Sequence, residues 1–263
     1  MSYLKRNSTY LLATSILLLF GILPNLKFVL EYLEWVNLLG DETITTNLFL
    51  WDYMFYYTDS AFVIHLFAPI LIVLYSLFSY FTEIRTGYVL QEMQRKEYCK
   101  VMSLKVLKVW MKSLVPLLSY SLLLFLIAFS LPTATNVAGV NNKEMMKYFL
   151  FIHANMIFFS LFIANIGIIV VFHTRRFILS LVLTQIIFLT ITIIIYFIGL
   201  LIDIVFGTPN YSELLYIYNL IVLDSGVSYV GSLVYAFCLF AISSLLVYIK
   251  LRDKERVVNI IER

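Results

Sequence analysis

The sequence predicts an all-α membrane protein with six transmembrane helices and both termini in the cytoplasm. Three observations support this: the chain has six apolar stretches of span length, its charges lie almost entirely between them, and its basic residues collect in alternate connections. With 62% apolar residues, 13% charged residues and a mean hydropathy of +0.91, the composition is that of a lipid-embedded chain. No internal repeat or linker interrupts it, so residues 1–263 are interpreted as one transmembrane domain.

Each predicted span is long enough to cross a hydrocarbon core of roughly 30 Å, which takes about 20 helical residues. None of them contains Asp, Glu, Lys or Arg. The first is interpreted as a retained helix, because no small-residue cleavage site follows Pro24 and five further spans come after it. The predicted spans are 10–26, 61–81, 114–131, 148–172, 177–201 and 229–249.

The connections predict the orientation, because Lys and Arg collect on the cytoplasmic side of a membrane. One alternating set of connections holds all the Lys and Arg residues except Lys27, Lys143 and Lys147, and the other set is acidic. The basic set includes both ends of the chain, so both termini are predicted on the cytoplasmic side. The chain is therefore interpreted as a multi-pass protein of the cytoplasmic (plasma) membrane. Nucleic-acid binding is not indicated, since topology alone accounts for these basic residues.

The sequence contains no catalytic signature of the G-x-S-x-G or H-E-x-x-H type, and we expect no enzymatic activity in this chain. Cys99 and Cys238 lie at different predicted depths and are expected to be free thiols. The histidines are dispersed. A metal site shared by His65 and His153 is the alternative to two interfacial histidines bonded to water or backbone, and we expect no metal.

Neutral polar residues lie inside the fourth and fifth spans, and four of them are candidates for a substrate pathway: Asn155, Asn165, Thr184 and Gln185. The alternative is that they bond across helices, as such residues usually do. No ionisable group lies inside a predicted span, which disfavours an ion-coupled carrier. No G-x-x-x-x-G-K-[ST] loop is present either, so ATP and Mg²⁺ would have to be bound by a separate ATPase subunit.

The connection between the second and third spans, residues 81–112, is predicted to be helical because it contains no proline and only one glycine. Its later half is interpreted as an interfacial helix, with an apolar face toward lipid and a row of lysines toward anionic head groups. These residues are Leu104, Leu107 and Met111, and Lys105, Lys108 and Lys112. The earlier half, 91–100, mixes acids and bases without a broad apolar face and is predicted to project into the cytosol; the alternative is a plain helical connector.

Glu83 and Gly87 form an E-x-x-x-G arrangement at the end of the second span, followed by Arg95, Tyr98 and the later lysines. With six spans and both termini inside, the chain resembles the permease subunits of ABC-2-type ATP-driven exporters. The resemblance implies that this connection is a coupling helix seated in a groove of the ATPase. The residues assigned to coupling are Glu83, Gly87, Glu92, Arg95, Lys96 and Tyr98.

The same resemblance implies short re-entrant outer helices in the connection 202–228, where Gly207 and Pro209 interrupt two apolar pieces. It also implies an exporter in which a second permease subunit, identical or related, completes the pathway within the lipid bilayer. The expected substrate is an amphipathic peptide, an antimicrobial compound or a lipid-like molecule. The alternatives are a non-transporting immunity or sensor protein, or an ion-coupled carrier.

The outer connection 27–60 is long, acidic and rich in aromatic residues, including Trp35 and Trp51. Aromatic side chains next to a span are typical of the head-group level. We therefore expect this connection to be an interfacial loop, with a substrate-facing role as the alternative.

Overall fold

The computed structural model of the chain describes residues 23–39, 46–56, 59–132, 142–174, 176–207, 229–255 and 257–258. Within these ranges the regular secondary structure is helical, which confirms the predicted all-α class. In chain order the helices are α1 (Leu23–Leu39), α2 (Asn47–Tyr56), α3 (Asp59–Arg85), α4 (Tyr88–Arg95), α5 (Tyr98–Ser113), α6 (Val115–Ser130), α7 (Asn142–Thr174), α8 (Phe177–Phe206) and α9 (Tyr229–Leu251).

Five helical segments in the described part of the chain are long and apolar enough to cross a membrane. They are Phe67–Arg85, Tyr98–Ser130, Met146–Thr174, Phe177–Phe206 and Val230–Leu251. These segments correspond to the second to sixth predicted spans and confirm a multi-pass membrane protein.

The first predicted span, 10–26, lies outside the described residues except for positions 23–26, which belong to α1. The helix does not end at Leu26 as the span boundary predicts, but continues to Leu39. The charged residues Lys27 and Glu31 do not interrupt it, because both are exposed and pair with one another one turn apart, at 3.7 Å.

Helix α7 lies at the centre of the bundle and packs against α3, α5, α6, α8 and α9. Its completely buried residues include Met156, Phe159 and Ile163. Gly167 lets α3 approach closely, since a side chain there would meet Leu77 and Val73 of α3. Such close approach is the usual means of helix association in lipid, where apolar side chains gain little by leaving the surrounding hydrocarbon.

Contacts along α7 fix the relative directions of its neighbours. Helix α7 runs antiparallel to the α5–α6 segment and parallel to α9, as an alternating path through a membrane requires. The pairs that establish this are Trp110 with Asn165, Ser121 with His153, Asn155 with Ser232, and Asn165 with Ser243.

The described charges are segregated between the two ends of the bundle, as the sequence predicts. The basic end is formed where α3 meets α4 and α5, where α7 meets α8, and where α9 ends, and its residues include Arg85, Lys96, Lys100, Arg176 and Lys250. The opposite end carries α1 and α2. The cytoplasmic placement of the basic end and of both termini stays a prediction.

The outer connection is not the interfacial loop that its composition suggested, because it contains α1 and α2. Trp51 of α2 is only 1% exposed, stacks on Phe55 and donates from Nε1 to the carbonyl oxygen of Ser121 in α6 at 3.2 Å. Aromatic residues suit a packed helical surface as well as a head-group layer, and here α2 covers α6. Trp35, in α1, is exposed.

Helix α8 extends five residues beyond the predicted end of the fifth span, to Phe206, and Gly207 follows in the left-handed conformation with φ of 64°. The apolar run through residues 202–206 continues the helix until this glycine ends it. The predicted re-entrant helices fall mostly within 208–228, outside the described residues.

Helices α5 and α6 follow one another with only Leu114 between them, and Leu114 keeps a helical backbone conformation. The combined segment Tyr98–Ser130 has 33 residues. At about 1.5 Å per residue this is roughly 50 Å, longer than the roughly 30 Å of a hydrocarbon core. Helix α5 is thus an extension of the third span toward the basic end, rather than a separate interfacial helix.

Candidate functional site at the basic end

The chain reverses direction at Gly87, between the end of α3 and the start of α4. Gly87 has φ of 68° and ψ of 6°, a left-handed conformation that costs residues with a Cβ about 1–2 kcal/mol. Its amide donates to the carbonyl oxygen of Ile84 at 3.1 Å, which closes the end of α3. The glycine of the E-x-x-x-G arrangement is therefore a turn that brings α4 back against its neighbours.

Helix α4 is eight residues long and amphipathic. Val89 is fully buried and Met93 is 5% exposed, so one face of α4 packs against α3 and α5. Within 91–100 only Met93 of α4 is buried, and the packed face of this helix arises from Met93 together with Val89 one turn earlier. The predicted position of residues 91–100 in the cytosol stays a prediction.

An ion-pair network joins α3, α4 and α5, and we call it the Lys105 cluster: Glu83, Glu92, Lys105 and Lys108. The Lys105 ammonium pairs with Glu83 Oε2 and lies 2.6 Å from Glu92 Oε2. Lys108 Nζ lies 3.5 Å from Glu83 Oε1. The Lys105 side chain is 11% exposed, and the side chains of Glu83 and Glu92 are 21% and 20% exposed, so the ammonium and both carboxylates are largely shielded from water.

The sequence pattern predicted that the lysine row of α5 faces anionic head groups. In the structure this row faces α3 and α4 instead. Lys105 and Lys108 face the glutamates of α3 and α4, and Lys112 donates to Ser79 Oγ of α3 at 2.8 Å. Sequence spacing places lysines on one face but cannot identify the carboxylates opposite them.

The apolar row of α5 lies beside the lysine row and is exposed. Leu104, Leu107 and Met111 are 55%, 50% and 62% exposed. This row faces away from the helical bundle, where lipid or another protein can cover it.

The hydrogen bond and charge of Lys105 lower the pKa of Glu92, against a smaller opposing effect of burial. Glu92 is consequently ionised at neutral pH, and it also lies 3.8 Å from Lys96 Nζ one turn further along the chain. Helix α4 is thus attached to α5 through a charged glutamate as well as through Val89 and Met93.

The other predicted coupling residues lie around this cluster. Arg95 ends α4 and is exposed, Lys96 follows it, and the Tyr98 hydroxyl donates to the Leu251 carbonyl at the end of α9. A half-open groove of about 600 Å³ lies between α4 and α5. It is lined by Glu92, Lys96, Glu97, Lys100, Val101, Leu104, Lys105 and Lys108. The structure thus brings all six predicted coupling residues to the basic end.

The candidate pathway residue Asn165 is fully buried and links three helices. Trp110 Nε1 of α5 donates to Asn165 Oδ1 at 2.8 Å, and Asn165 Nδ2 donates to Ser243 and Ser244 of α9, both at 3.0 Å. This is the cross-helix arrangement that the sequence analysis gave as the alternative to substrate contact.

The remaining pathway candidates are also inside the helical bundle. Asn155 is fully buried and its Nδ2 donates to Ser232 of α9 at 2.8 Å. Thr184 is buried and its hydroxyl donates to the Ser180 carbonyl of its own helix at 2.8 Å, while Gln185 is partly buried. Their part in a substrate pathway stays a prediction.

In the half of the bundle opposite the basic end, His153 is bonded to backbone and to Ser121, a partner that sequence reasoning missed. His153 Nδ1 lies 2.7 Å from the Phe149 carbonyl oxygen, which can only accept, so Nδ1 carries the proton. In the neutral ring Nε2 then accepts from Ser121 Oγ at 2.9 Å. Ser121 is fully buried and His153 is partly buried, so this histidine–serine pair joins α6 to α7.

The described residues contain no group of three or more His, Cys, Asp and Glu side chains placed to hold a metal ion. The side chain of His65, the other member of the predicted alternative metal pair, lies outside the described part. Cys99 and Cys238 are exposed free thiols. No family model, curated protein or solved structure matches the chain.

Proposed function

We propose that the chain is the permease subunit of an ABC-2-type exporter and works with a separate ATPase that binds ATP and Mg²⁺. A second permease subunit, identical or related, would complete the pathway in the cytoplasmic membrane. The substrate class is an amphipathic peptide, an antimicrobial compound or a lipid-like molecule. In this proposal the chain itself has no catalytic role.

One observation carries the proposal: α4, a short helix at the basic end, is attached to two long membrane helices by the Lys105 cluster. Glu83 belongs to α3 and Lys105 to the extended third span, while Glu92 belongs to α4. A protein that pushed on α4 would therefore act on both long helices at once. This is what a coupling element must do to convert movement of an ATPase into changed access to a pathway.

The surface around α4 suits a protein partner. The groove between α4 and α5 is lined by acidic and basic side chains, including Glu97 and Lys100, and by the exposed apolar Leu104. Mixed charge beside an apolar contact can give a partner both orientation and affinity. Arg95 and Lys96, at the end of α4, lie where such a partner would first make contact.

A displacement of α4 and α5 could also be transmitted to α9 through Tyr98. Its hydroxyl donates to the Leu251 carbonyl, so the start of α5 is bonded to the end of α9. Helix α9 is in turn joined to α7 through Asn165 and Ser243. Displacement at the basic end would thus be passed to the central helix of the bundle.

The test is purification of the full chain from its native membranes in mild detergent, followed by identification of bound proteins. We expect an ATPase with a G-x-x-x-x-G-K-[ST] loop to co-purify. Reversing two charges at α4, Arg95→Glu with Lys96→Glu, should reduce the bound ATPase while membrane insertion is unchanged. The matched control, Arg252→Glu with Lys254→Glu, reverses two charges at the same end and should retain it. Equal ATPase retention by both double variants would contradict the proposal.

A further inference from the structure

A second groove at the basic end has a different chemistry from the α4 groove. It lies between the end of α3 and the start of α8 and measures about 740 Å³. Phe81, Phe177, Ile178, Leu179 and Val182 line it, together with Arg85 and Arg176.

The apolar part of this groove faces away from the bundle core. Ile178, Leu179 and Val182 are 77%, 42% and 49% exposed, and they lie on a helix that is long and apolar enough to cross a membrane. Phe177 at the start of α8 packs on Phe81 of α3, with ring centroids 5.6 Å apart, and this contact joins the two sides of the groove. Such a surface is suited to hydrocarbon.

The two arginines stand at the mouth of the groove. Arg85 ends α3 and Arg176 directly precedes α8, so both guanidinium groups lie at the ends of membrane helices. Both residues are exposed, and neither forms an ion pair with a described carboxylate. This differs from Lys105 and Lys108 nearby, whose charges are matched by Glu83 and Glu92.

Unmatched arginines above a lipid-facing apolar groove form a two-part recognition surface. Guanidinium groups bind phosphate oxygens well and often through two hydrogen bonds, and basic pockets between membrane helices bind anionic head groups. A free phosphate would use the arginines but leave the groove uncovered. A soluble anionic protein would not cover side chains at membrane depth.

We propose that the α3–α8 groove binds an anionic phospholipid, with its phosphate between Arg85 and Arg176 and an acyl chain along Phe177, Leu179 and Val182. The occupant comes from the leaflet that borders the basic end of the bundle. The inference goes beyond the proposed transport function and does not depend on an ATPase.

The test measures lipid retained by the purified full chain in mild detergent, counted by native mass spectrometry. The chain is titrated with phosphatidylglycerol, with phosphatidylcholine of the same acyl chains, and with glycerol phosphate, which lacks acyl chains. We expect phosphatidylglycerol to bind and the other two to bind at least tenfold more weakly. Equal binding of phosphatidylcholine, or tight binding of glycerol phosphate, would overturn the proposal in favour of a general lipid surface or a free-anion site.

Two variants test the two parts of the groove separately. Arg85→Gln with Arg176→Gln should weaken phosphatidylglycerol binding about 30-fold, since each basic side chain near an anionic surface strengthens binding about fivefold. The control Arg252→Gln with Lys254→Gln removes the same charge at the basic end outside the groove and should bind as the unchanged chain does. Val182→Trp, which fills the groove and keeps both arginines, should also lose bound phosphatidylglycerol.

Each variant is accepted only if its melting temperature in detergent without added lipid is within a few degrees of that of the unchanged chain. If the arginine variant has a lowered melting temperature, Val182→Trp and the comparison of the three ligands still show whether the groove binds an anionic phospholipid. Full phosphatidylglycerol binding by Val182→Trp, or equal losses in the arginine variant and its control, would overturn the site.

Discussion

Lys105 of α5 lies 2.6 Å from Glu92 of α4, and this ion pair fastens the short helix at the basic end to a membrane-spanning helix. The Lys105 ammonium also pairs with Glu83 of α3, and it lies 5.1 Å from the centre of the Tyr88 ring at the start of α4. One side chain of α5 thus contacts both of the other helices that meet there.

Replacing Lys105 by methionine keeps a long unbranched side chain, one atom shorter, and removes its charge. We expect a loss of roughly 1.5–3 kcal/mol in stability, because two shielded glutamates lose a charged hydrogen-bond partner. Thermal unfolding in detergent measures this. The control Lys100→Met, at an exposed lysine of the same helix, should change stability by less than about 0.5 kcal/mol. Equal effects of the two changes would show that the cluster does not hold α4.

Gly87→Ala should cost about 1–2 kcal/mol, because φ of 68° is unfavourable for a residue with a Cβ. The cost is conformational, since a Cβ at this position would have no neighbour within 4 Å. Gly87→Asn should cost less, as asparagine tolerates the left-handed region better. Chemical denaturation of the unchanged chain, Gly87→Ala and Gly87→Asn ranks their free energies of unfolding. An alanine variant as stable as the glycine chain would contradict the assigned turn.

Asn165→Leu should destabilise the protein by roughly 1–3 kcal/mol, because the Trp110 Nε1–H loses its acceptor and two serine hydroxyls of α9 lose a donor. A double-mutant cycle with Trp110→Phe isolates the bond between α5 and α7. We expect the two changes together to cost less than their sum. If stability is unchanged and transport per folded complex falls, Asn165 serves the pathway instead.

Burial raises the pKa of Asp52 to about 6, and a hydrogen bond from Tyr148 opposes the shift. The folded protein therefore holds this proton at pH values where the unfolded chain has released it. Stability should fall as the pH rises from about 4 to about 6, by roughly 1–3 kcal/mol from this group. Asp52→Asn should remove that part of the pH dependence and raise the melting temperature at pH 7.5.

The control for Asp52 is Glu34→Gln, which neutralises an exposed carboxylate at the same end of the bundle. Its melting temperature should follow pH as that of the unchanged chain does. If Asp52→Asn has the same pH profile as this control, the carboxyl group of Asp52 titrates normally in the folded protein.

The apolar stretches were sufficient to predict the second to sixth spans, because a continuous apolar run of about 20 residues satisfies its backbone groups in lipid by forming a helix. They could not show that α1 and α2 pack as helices, since a residue such as Trp51 suits a head-group layer equally well by composition. The residues predicted to couple to an ATPase were chosen from the family resemblance and from their position between two spans. Their pairing was not predictable, because Glu83, Glu92 and Lys105 meet only when Gly87 turns the chain back.

The central claim is that an ATPase docks on α4, and site-specific photo-cross-linking tests it most directly. A photoreactive amino acid is placed at Arg95 of α4 and, as the matched control, at exposed Lys147 near the opposite end of α7. After irradiation of intact membranes, we expect an ATPase with a phosphate-binding loop to be cross-linked at position 95 and not at position 147. Absence of any ATPase at position 95, or equal capture at both positions, would contradict the account.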